Sequence, residues 1–507
     1  MMNFRVTVKA EEVFTGTLIF ASGSRVYFRN GEKCMAESAA YSEDDEVFVP
    51  KKSVENYLLC DSDISKATLT EKGIDIYESS EYKFLAFGDV SGINAENEEE
   101  IIKKFGIYIS PDGNDANSGY ASAPVKTFDG ARTVYANMRG DNSSFSADIF
   151  VHAGIYRFEK SFEPISGMKL KAFGDGEVRL CGSKKISKEL FKKTTDSGLL
   201  QKLSEDARGK VYEADLSGLF YSMAKYPEYT ALHGGTAYYE LFCADKPQVL
   251  ARFPNYGFIN TISASGRSFA AESSRLEIWK NSKYAMAAGY WVHDWAFENI
   301  YVDSIDTSLG KITLSKDVYG SSIVSGKRYY MMNMPEEIDM PGEYYIDCEN
   351  KKLYYYPTEE FLSNDPELSV LTTPIFKANG AQNLDISGMT FEYTRGVAIE
   401  GQNVKNMRIS DCVVRNIGSN GINISGTDCT VEKCEIYGIG AMGVNISGGD
   451  RKTLFPGNNA VKNCSIYDFG RIFRTYQSGI MISGVGNRAE YNTVHDAPHS
   501  GVRFSGN

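Results

Sequence analysis

The chain has no CxxC pair, no apolar run approaching the roughly 20 residues that cross a bilayer, and no excess of basic residues. Each absence excludes something. Nine cysteines, an odd number with none at CxxC spacing, suggest neither a complete disulfide framework nor a zinc knuckle. Without a long apolar run there is no candidate for membrane insertion. A net charge of −12 cannot neutralise phosphates, which excludes nucleic acid and anionic membrane surfaces as partners. The acidity belongs mainly to the start of the chain: residues 1–106 hold 12 Lys plus Arg against 20 Asp plus Glu, whereas 380–507 hold 12 against 11. The N-terminal MMNFRVTVKAEEVFTGTLIFASGS also lacks the unbroken apolar segment of a signal peptide, because Glu11, Glu12 and Thr15 interrupt it. Export by that route requires a start upstream of Met1.

What is present is a globular composition, 42 % hydrophobic and 24 % charged, at a length that predicts roughly two to four units. Residues 1–92 read as a unit of short strands, and 93–105 as an acidic linker around AENEEE. Residues 106–180 read as strand, Gly/Asp/Asn loop, amphipathic helix and further strands, the opening of a solenoid with a helix over its first coil. Residues 181–380 carry Tyr-rich strand pairs such as YYELFCADKPQVLARFP and GEYYIDCENKKLYYYP, each with a central turn, and read as an inserted β-rich subdomain.

Residues 381–507 repeat. Segments close on Ile-Ser-Gly or a similar tripeptide, with Gly426 and Gly448 separated by 22 residues, as are Gly484 and Gly506. Gly448 and Gly484 are 36 apart, the surplus falling in GDRKTLFPGNN and the RIFRTYQ arm. Short β-branched runs broken by Gly and Asn predict several strands per repeat and hence a parallel β-helix, right-handed by the general rule for parallel crossovers. The expected fold class is all-β. Coils stacked ~4.8 Å apart turn equivalent positions into columns, among them Cys412, Cys434, Cys464 and Asn492, whose thiols should lie in the core as small hydrophobes.

Four positions after each member of that column stand Asn416, Gly438, Asp468 and Asp496. Stacking places Asp468 and Asp496 on adjacent coils about 5 Å apart, and a carboxyl separation of about 5–5.5 Å serves retaining glycosidases while about 6.5–9.5 Å serves inverting ones. Asp and Asn at such corners also bond local backbone with no catalytic role, and both readings are open. His495, His499, Arg474 and Tyr476 flank the pair and supply imidazole, guanidinium and phenol for binding a sugar, although a histidine beside an aspartate also forms an ordinary structural pair. In GYWVHDWAFENI, strand alternation would put Trp291, His293 and Trp295 on one side, as a stacking platform for a sugar ring or as packing. SPDGNDANSG has the composition of a calcium loop without EF-hand spacing and reads as an Asx-turn loop. No metal or cofactor is assigned.

The stretch from GGDRKTLFPGNNAVKNCSIYDFGRIF to YNTVHDAPHSGVRFSGN resembles closely the right-handed parallel β-helix proteins related to family 141 of the glycoside hydrolases. YISPDGNDANSG, LARFPNYGF, GYWVHDWA and MPGEYYIDCENKKLYYYP extend the resemblance over about 106–507. Residues 17–92, particularly RVYFRNGEKCMAESAAYSEDDEVFVPKKSVENYL, resemble more weakly the copper amine oxidase N-terminal-like domain, a non-catalytic module that implies no copper here. The resemblance implies an extracellular or cell-wall enzyme that hydrolyses fucoside- or xylan-type polysaccharide with two carboxylates and no cofactor. It also implies a further acidic residue in a motif beyond Asn507, so that the sequence is expected to be a fragment. A polysaccharide lyase and a non-catalytic carbohydrate-binding solenoid are the alternatives that the fold equally permits.

Overall fold

The computed structural model describes residues 106–505 apart from 120–122, 142, 144 and 231–234, together with the backbone of six short strands between Gly16 and Phe87 that pair in one sheet. Apart from those strands, the expected copper amine oxidase N-terminal-like module at 1–92 and the acidic linker at 93–105 lie outside the described residues.

The C-terminal repeats wind into a parallel β-helix with three strands per coil. One coil consists of Ile422–Thr427, Thr430–Glu432 and Glu435–Ile439, and the next of Val444–Asp450, Ala460–Lys462 and Ser465–Phe469. Their partners are the equivalent strands above and below, in register: Ile422 pairs with Val444, Val444 with Ile480, and Ile480 with Val502. On the third strand the inward column is Val414, Ile436, Ile466 and Val494. Alternation puts every second side chain inside, and Val414, Ile422, Ile436, Val444, Ile466 and Ile480 are fully buried in one continuous apolar core. Among the described residues no helix is long and apolar enough to cross a membrane.

The cysteine column is as expected: Cys412, Cys434 and Cys464 are buried free thiols. Asn492 ends it differently, its Oδ1 accepting from the Cys464 N–H at 2.9 Å and its Nδ2 donating to the Val461 carbonyl at 2.9 Å. A second corner repeats the scheme. Asn459 Oδ1 accepts from the Cys429 N–H, its Nδ2 donates to the Gly426 and Ser447 carbonyls, and Asn487 Oδ1 in turn accepts from the Asn459 N–H. Where the chain leaves the ladder to turn, these amides satisfy backbone groups that would otherwise be buried without partners.

At the other end, the helix Phe128–Arg139 starts on Thr127, whose side chain accepts from the Gly130 N–H, and buries Phe128, Ala131 and Tyr135 in the same core as the coils. The acidic loop before it is occupied with its own backbone: Asp115 Oδ1 accepts from the Lys126 and Thr127 N–H groups and Asn114 Oδ1 from the Ala116 N–H.

Between the third strand Val178–Cys181 of one coil and the first strand Phe376–Asn379 of the next, the chain leaves the solenoid and builds mostly antiparallel sheets with apolar cores of their own. The two Tyr-rich pairs are hairpins: Glu343–Asp347 pairs antiparallel with Lys352–Tyr355, and Cys243 pairs with Lys246 across a turn whose two central residues, Ala244 and Asp245, both have positive φ. That turn reaches back to the coils. Asp245 accepts hydrogen bonds from Arg179 (2.6 Å), Tyr393 (2.5 Å) and Arg415 (3.3 Å), its carbonyl accepts from Asn416 Nδ2, and Arg179 and Arg415 also share the fully buried Glu392. A charge so buried is tolerated because two guanidinium groups meet it. Another buried carboxyl, Glu343, meets no guanidinium in this way: its Oε2 accepts from the Asp339 and Met340 N–H groups. Burial pushes its pKa up to about 8.

Two outcomes are expected. Asn459→Ala leaves one N–H and two carbonyls unpaired in the stack and should cost about 2–4 kcal/mol, read as a lowered thermal midpoint. Because the folded pKa of Glu343 lies above its unfolded value, its contribution to stability is complete below about pH 4.5 and is lost as pH rises through about 8. Glu343→Gln should therefore be relatively more stable than the parent at pH 8.5 than at pH 5, as followed by denaturation at the two pH values.

Candidate functional site

The insertion departs from the corner at which each coil's third strand returns to the first strand of the next; the same corner lies at 393–398 in the coil that follows the insertion and, in the later coils, at 418–421, 440–443, 470–477 and 496–499. Three of these later ones are four residues long; the fourth is the RIFRTYQ arm. The last position of the 440–443 corner leaves no room for a side chain, since a Cβ on Gly443 would stand 2.6 Å from the Gly479 carbonyl oxygen and 2.6 Å from Ile466 Cγ2. The arm instead swings outward, and Ile472 and Phe473 pack with Tyr229 and Ala237 of the insertion, Phe473 lying 4.4 Å from the Tyr229 ring centroid. Thr475 Oγ1 accepts from the Phe297 N–H at 3.3 Å, and Arg471 forms a buried pair with Glu240 at 2.9 Å.

Each return corner is entered through a left-handed residue. Tyr393, Asn416, Gly438, Asp468 and Asp496 have φ of 59°, 54°, 64°, 48° and 51°. The column drawn from the sequence is therefore also a column of left-handed turns, a conformation that Asn, Asp and Gly adopt at least cost. Asp468 and Asp496 occupy successive coils, placed by the pairing of Tyr467 with His495, and both are exposed. His495 ends an outward stack: the rings of Tyr437 and Tyr467 are 5.1 Å apart and those of Tyr467 and His495 4.9 Å, all nearly parallel. Its Nδ1 lies 2.8 Å from Asp496 Oδ2.

A second group gathers where the arm meets the insertion. The Tyr476 ring lies edge-on to Trp295 at 6.0 Å and to His499 at 5.2 Å, and the Arg503 guanidinium lies 4.9 Å from its centroid. The Tyr476 backbone is held at both ends, its N–H donating to His499 Nδ1 at 2.9 Å and its carbonyl accepting from Arg503 Nη1 at 2.6 Å. Accepting at Nδ1 puts the proton of a neutral imidazole on Nε2. Burial, assisted by the Arg503 charge, holds the His499 pKa below the usual histidine value. Trp295 is 37 % exposed, stacks on His293 at 4.7 Å with an interplanar angle of 4°, and has Tyr319 edge-on at 5.6 Å.

Trp291 does not belong to this surface, contrary to the alternation read from GYWVHDWAFENI. The strand Met286–Tyr290 ends before it, a turn closed by the Ala296 N–H to the His293 carbonyl breaks the period of two, and Trp291 is fully buried against Phe269 and Tyr329. Arg474 also stands apart from the Tyr476 group. It is half-buried, with its charge acting on Arg252 and Tyr330 of the insertion. Sequence reading missed Arg503 and Tyr319. Arg503 was findable: its strand pairs it with Met481, which continues Asn423 and Asn445 as the outward column of the first strand. Tyr319, in a loop of the insertion, carries no such signal.

Residues 377–507 match the sequence family described as right handed beta helix region. The coils are a right-handed parallel β-helix. No curated protein matches the chain in sequence. Among solved structures, the chain is similar to one described as a glycoside hydrolase, with a TM-score of 0.47 and 14 % identity over 78 % of this chain and 92 % of that one. A complex of XylC with xylose gives 0.40 and 12 %, over 76 % of this chain and 62 % of that one. The Gp54 tailspike of Acinetobacter baumannii bacteriophage AP22, in complex with capsular saccharide, gives 0.17 and 9 %, over 71 % and 55 %.

Because the neutral form of His499 is the one that accepts from Tyr476, acidification should break the Tyr476 N–H bond to His499 while the rest of the arm stays packed. In an NMR titration the His499 midpoint should fall below about 6.5, and protonation should shift the Tyr476 amide resonance with the same midpoint.

Proposed function

We propose that the return corner of the β-helix binds a carbohydrate chain and that the protein is a glycoside hydrolase acting on fucoside- or xylan-type polysaccharide. The observation that carries the reading is the exposed Trp295, flanked by Tyr319, Tyr476 and His499, beside the column that bears Asp468 and Asp496. An indole face offers a pyranose ring apolar contact, while imidazole, guanidinium and carboxylate exchange hydrogen bonds with its hydroxyls. The family 141 resemblance of the same segments supports hydrolysis, an extracellular setting and two carboxylates. In this reading Asp496, oriented by His495, is one of the pair and Asp468 its neighbour. Trp295, Tyr476, His499 and Arg503 bind the sugar.

A second reading, β-elimination of a uronate-containing polysaccharide, is favoured by one specific feature: a neutral imidazole at His499 and a guanidinium at Arg503 meet at the same tyrosine. Elimination would produce unsaturated, ultraviolet-absorbing ends, whereas hydrolysis produces only reducing ends.

Assay on aryl fucosides, aryl xylosides and xylan, with a uronate-containing polysaccharide followed by ultraviolet absorbance, distinguishes these. Asp496→Asn should lower kcat by about a hundredfold or more, and Trp295→Ala should raise KM a few-fold to about tenfold. Unchanged turnover in Asp496→Asn would remove that carboxylate from the mechanism. Binding of oligosaccharides without turnover would leave a carbohydrate-binding solenoid.

A further inference from the structure

One face of the insertion's largest sheet carries three arginines on a floor of aromatic rings. The strand Arg328–Met332 pairs with Met286–Tyr290 and with Arg252, and alternation puts Arg252, Arg328, Tyr330, Tyr290 and Phe297 on one side. The Arg252 guanidinium lies 3.7 Å from the Tyr330 ring centroid and the Arg328 guanidinium 4.1 Å from that of Tyr290. Phe258 joins the two, its ring 5.6 Å from Tyr330 and 5.8 Å from Tyr290. Arg474 arrives from the arm: Thr475, the residue after it, accepts from the Phe297 N–H, and the Phe297 ring lies 6.2 Å from Tyr330. Stacking satisfies the face of a guanidinium and leaves its N–H edge to donate. Arg252 Nε and Nη2 are fixed on the Pro254 and Gly257 carbonyls at 2.9 and 2.5 Å, which holds Nη1 in place. Among the described residues none of the three arginines forms an ion pair, unlike Arg179, Arg415 and Arg471. Their free terminal nitrogens reach solvent: of the unpartnered ones only Arg474 Nε is sealed in, and Arg328 as a whole is exposed. Nor is there a counter-charge close by. Glu343, whose charge would oppose that of Arg252, has its pKa pushed up to about 8 by burial and is neutral below that, and Glu240 is taken by Arg471.

We propose that this arginine face binds an acidic sugar unit through its carboxylate or sulfate group, so that the polysaccharide recognised beside the corner is a polyanion. Guanidinium N–H edges match two oxygens of either group, and three like charges gathered without partners repel one another until an oxyanion arrives. The rings beneath them offer apolar contact to the sugar and keep water from the charges, which strengthens the attraction. A chain of net charge −12 repels polyanions at long range, so attraction has to come from a local cluster such as this one. Arg474 stands two residues before Tyr476 in the arm, so the face borders the corner and one chain can reach both. That the polymer is a carbohydrate rests on the reading of the corner given above; that it is acidic rests on the arginines alone. Hydrolysis and elimination are both open to such a substrate.

Titration calorimetry on the whole protein with trigalacturonate, a sulfated fucan trisaccharide and neutral xylotriose tests the proposal. One of the two acidic ligands should bind at least about tenfold more tightly than xylotriose, and which one does so tells carboxylate from sulfate. Its affinity should fall as salt is raised. Arg328→Gln should weaken it about tenfold, and Arg328→Gln combined with Arg474→Gln about a hundredfold, while xylotriose binds as before. Because neither side chain forms an ion pair, the thermal midpoint of both variants should be unchanged or raised, so lost affinity would not reflect misfolding. Trp295→Ala should weaken xylotriose more than the acidic ligand, which separates this face from the corner. Acidic ligands that bind no more tightly than xylotriose, or as tightly to the double variant as to the parent, would overturn the proposal and leave the carbohydrate reading standing. If none of the three binds, both fall.

Discussion

Backbone hydrogen bonds between consecutive coils hold each residue directly above its equivalent, and the geometry of everything else follows from that pairing. Ile422, Val444 and Ile480 share a column because their strands pair in register, and a slip of one residue would turn every one of them outward. The same pairing carries Tyr437, Tyr467 and His495 into a stack and sets Asp468 and Asp496 at the entrance to neighbouring corners. The columns at the turns have a different chemistry because the ladder is interrupted there. Asparagine amides at 459, 487 and 492 supply the hydrogen bonds that the strands no longer can.

The coil corners divide the labour. Those at 418–421 and 440–443 are held tight by glycine at both ends, and their side chains are spent on neighbours: Asn420 accepts from the Met442 N–H and Ala441 packs beneath the arm. The arm at 470–477 is longer and carries apolar side chains that need cover, which the insertion provides through Tyr229 and Ala237. Contact between two segments far apart in the chain is therefore a packing requirement before it is a functional one. The charged and aromatic groups gathered at Tyr476 are arranged on that prior apolar contact, with His499 and Arg503 fixing its backbone from the following coil.

How far this could be read from the sequence depended on whether a residue's environment repeats. Cys412, Cys434 and Cys464 recur at fixed positions, and their burial followed from the spacing. Arg503 obeys the same arithmetic and was legible in principle. The stack of Tyr437, Tyr467 and His495 was equally encoded, one residue before the left-handed column. Trp291 and Trp295 lie where no repeat operates. Alternation was extended one turn too far, because nothing in VHDWA announces that the strand stops at Tyr290. Nor does any local pattern say that Trp295 meets a tyrosine 181 positions later, since that proximity is created by an insertion folding back on the coil face. The gathering of Arg252, Arg328 and Arg474 on one aromatic face is of the same kind, visible only once the sheets are assembled.

The Asp245 turn has a mechanical consequence. A stack of repeats that touch only their neighbours tends to fray from its ends, one layer after another. Asp245 is bonded to Arg179, Tyr393, Arg415 and Asn416, which belong to three successive layers, and it is delivered from an insertion with apolar cores of its own. Peeling any one of those layers means breaking its bonds to a hairpin that the other two still hold. The middle of the molecule is thus riveted, and unwinding that starts at the last coils should stall at this point until the insertion itself gives way.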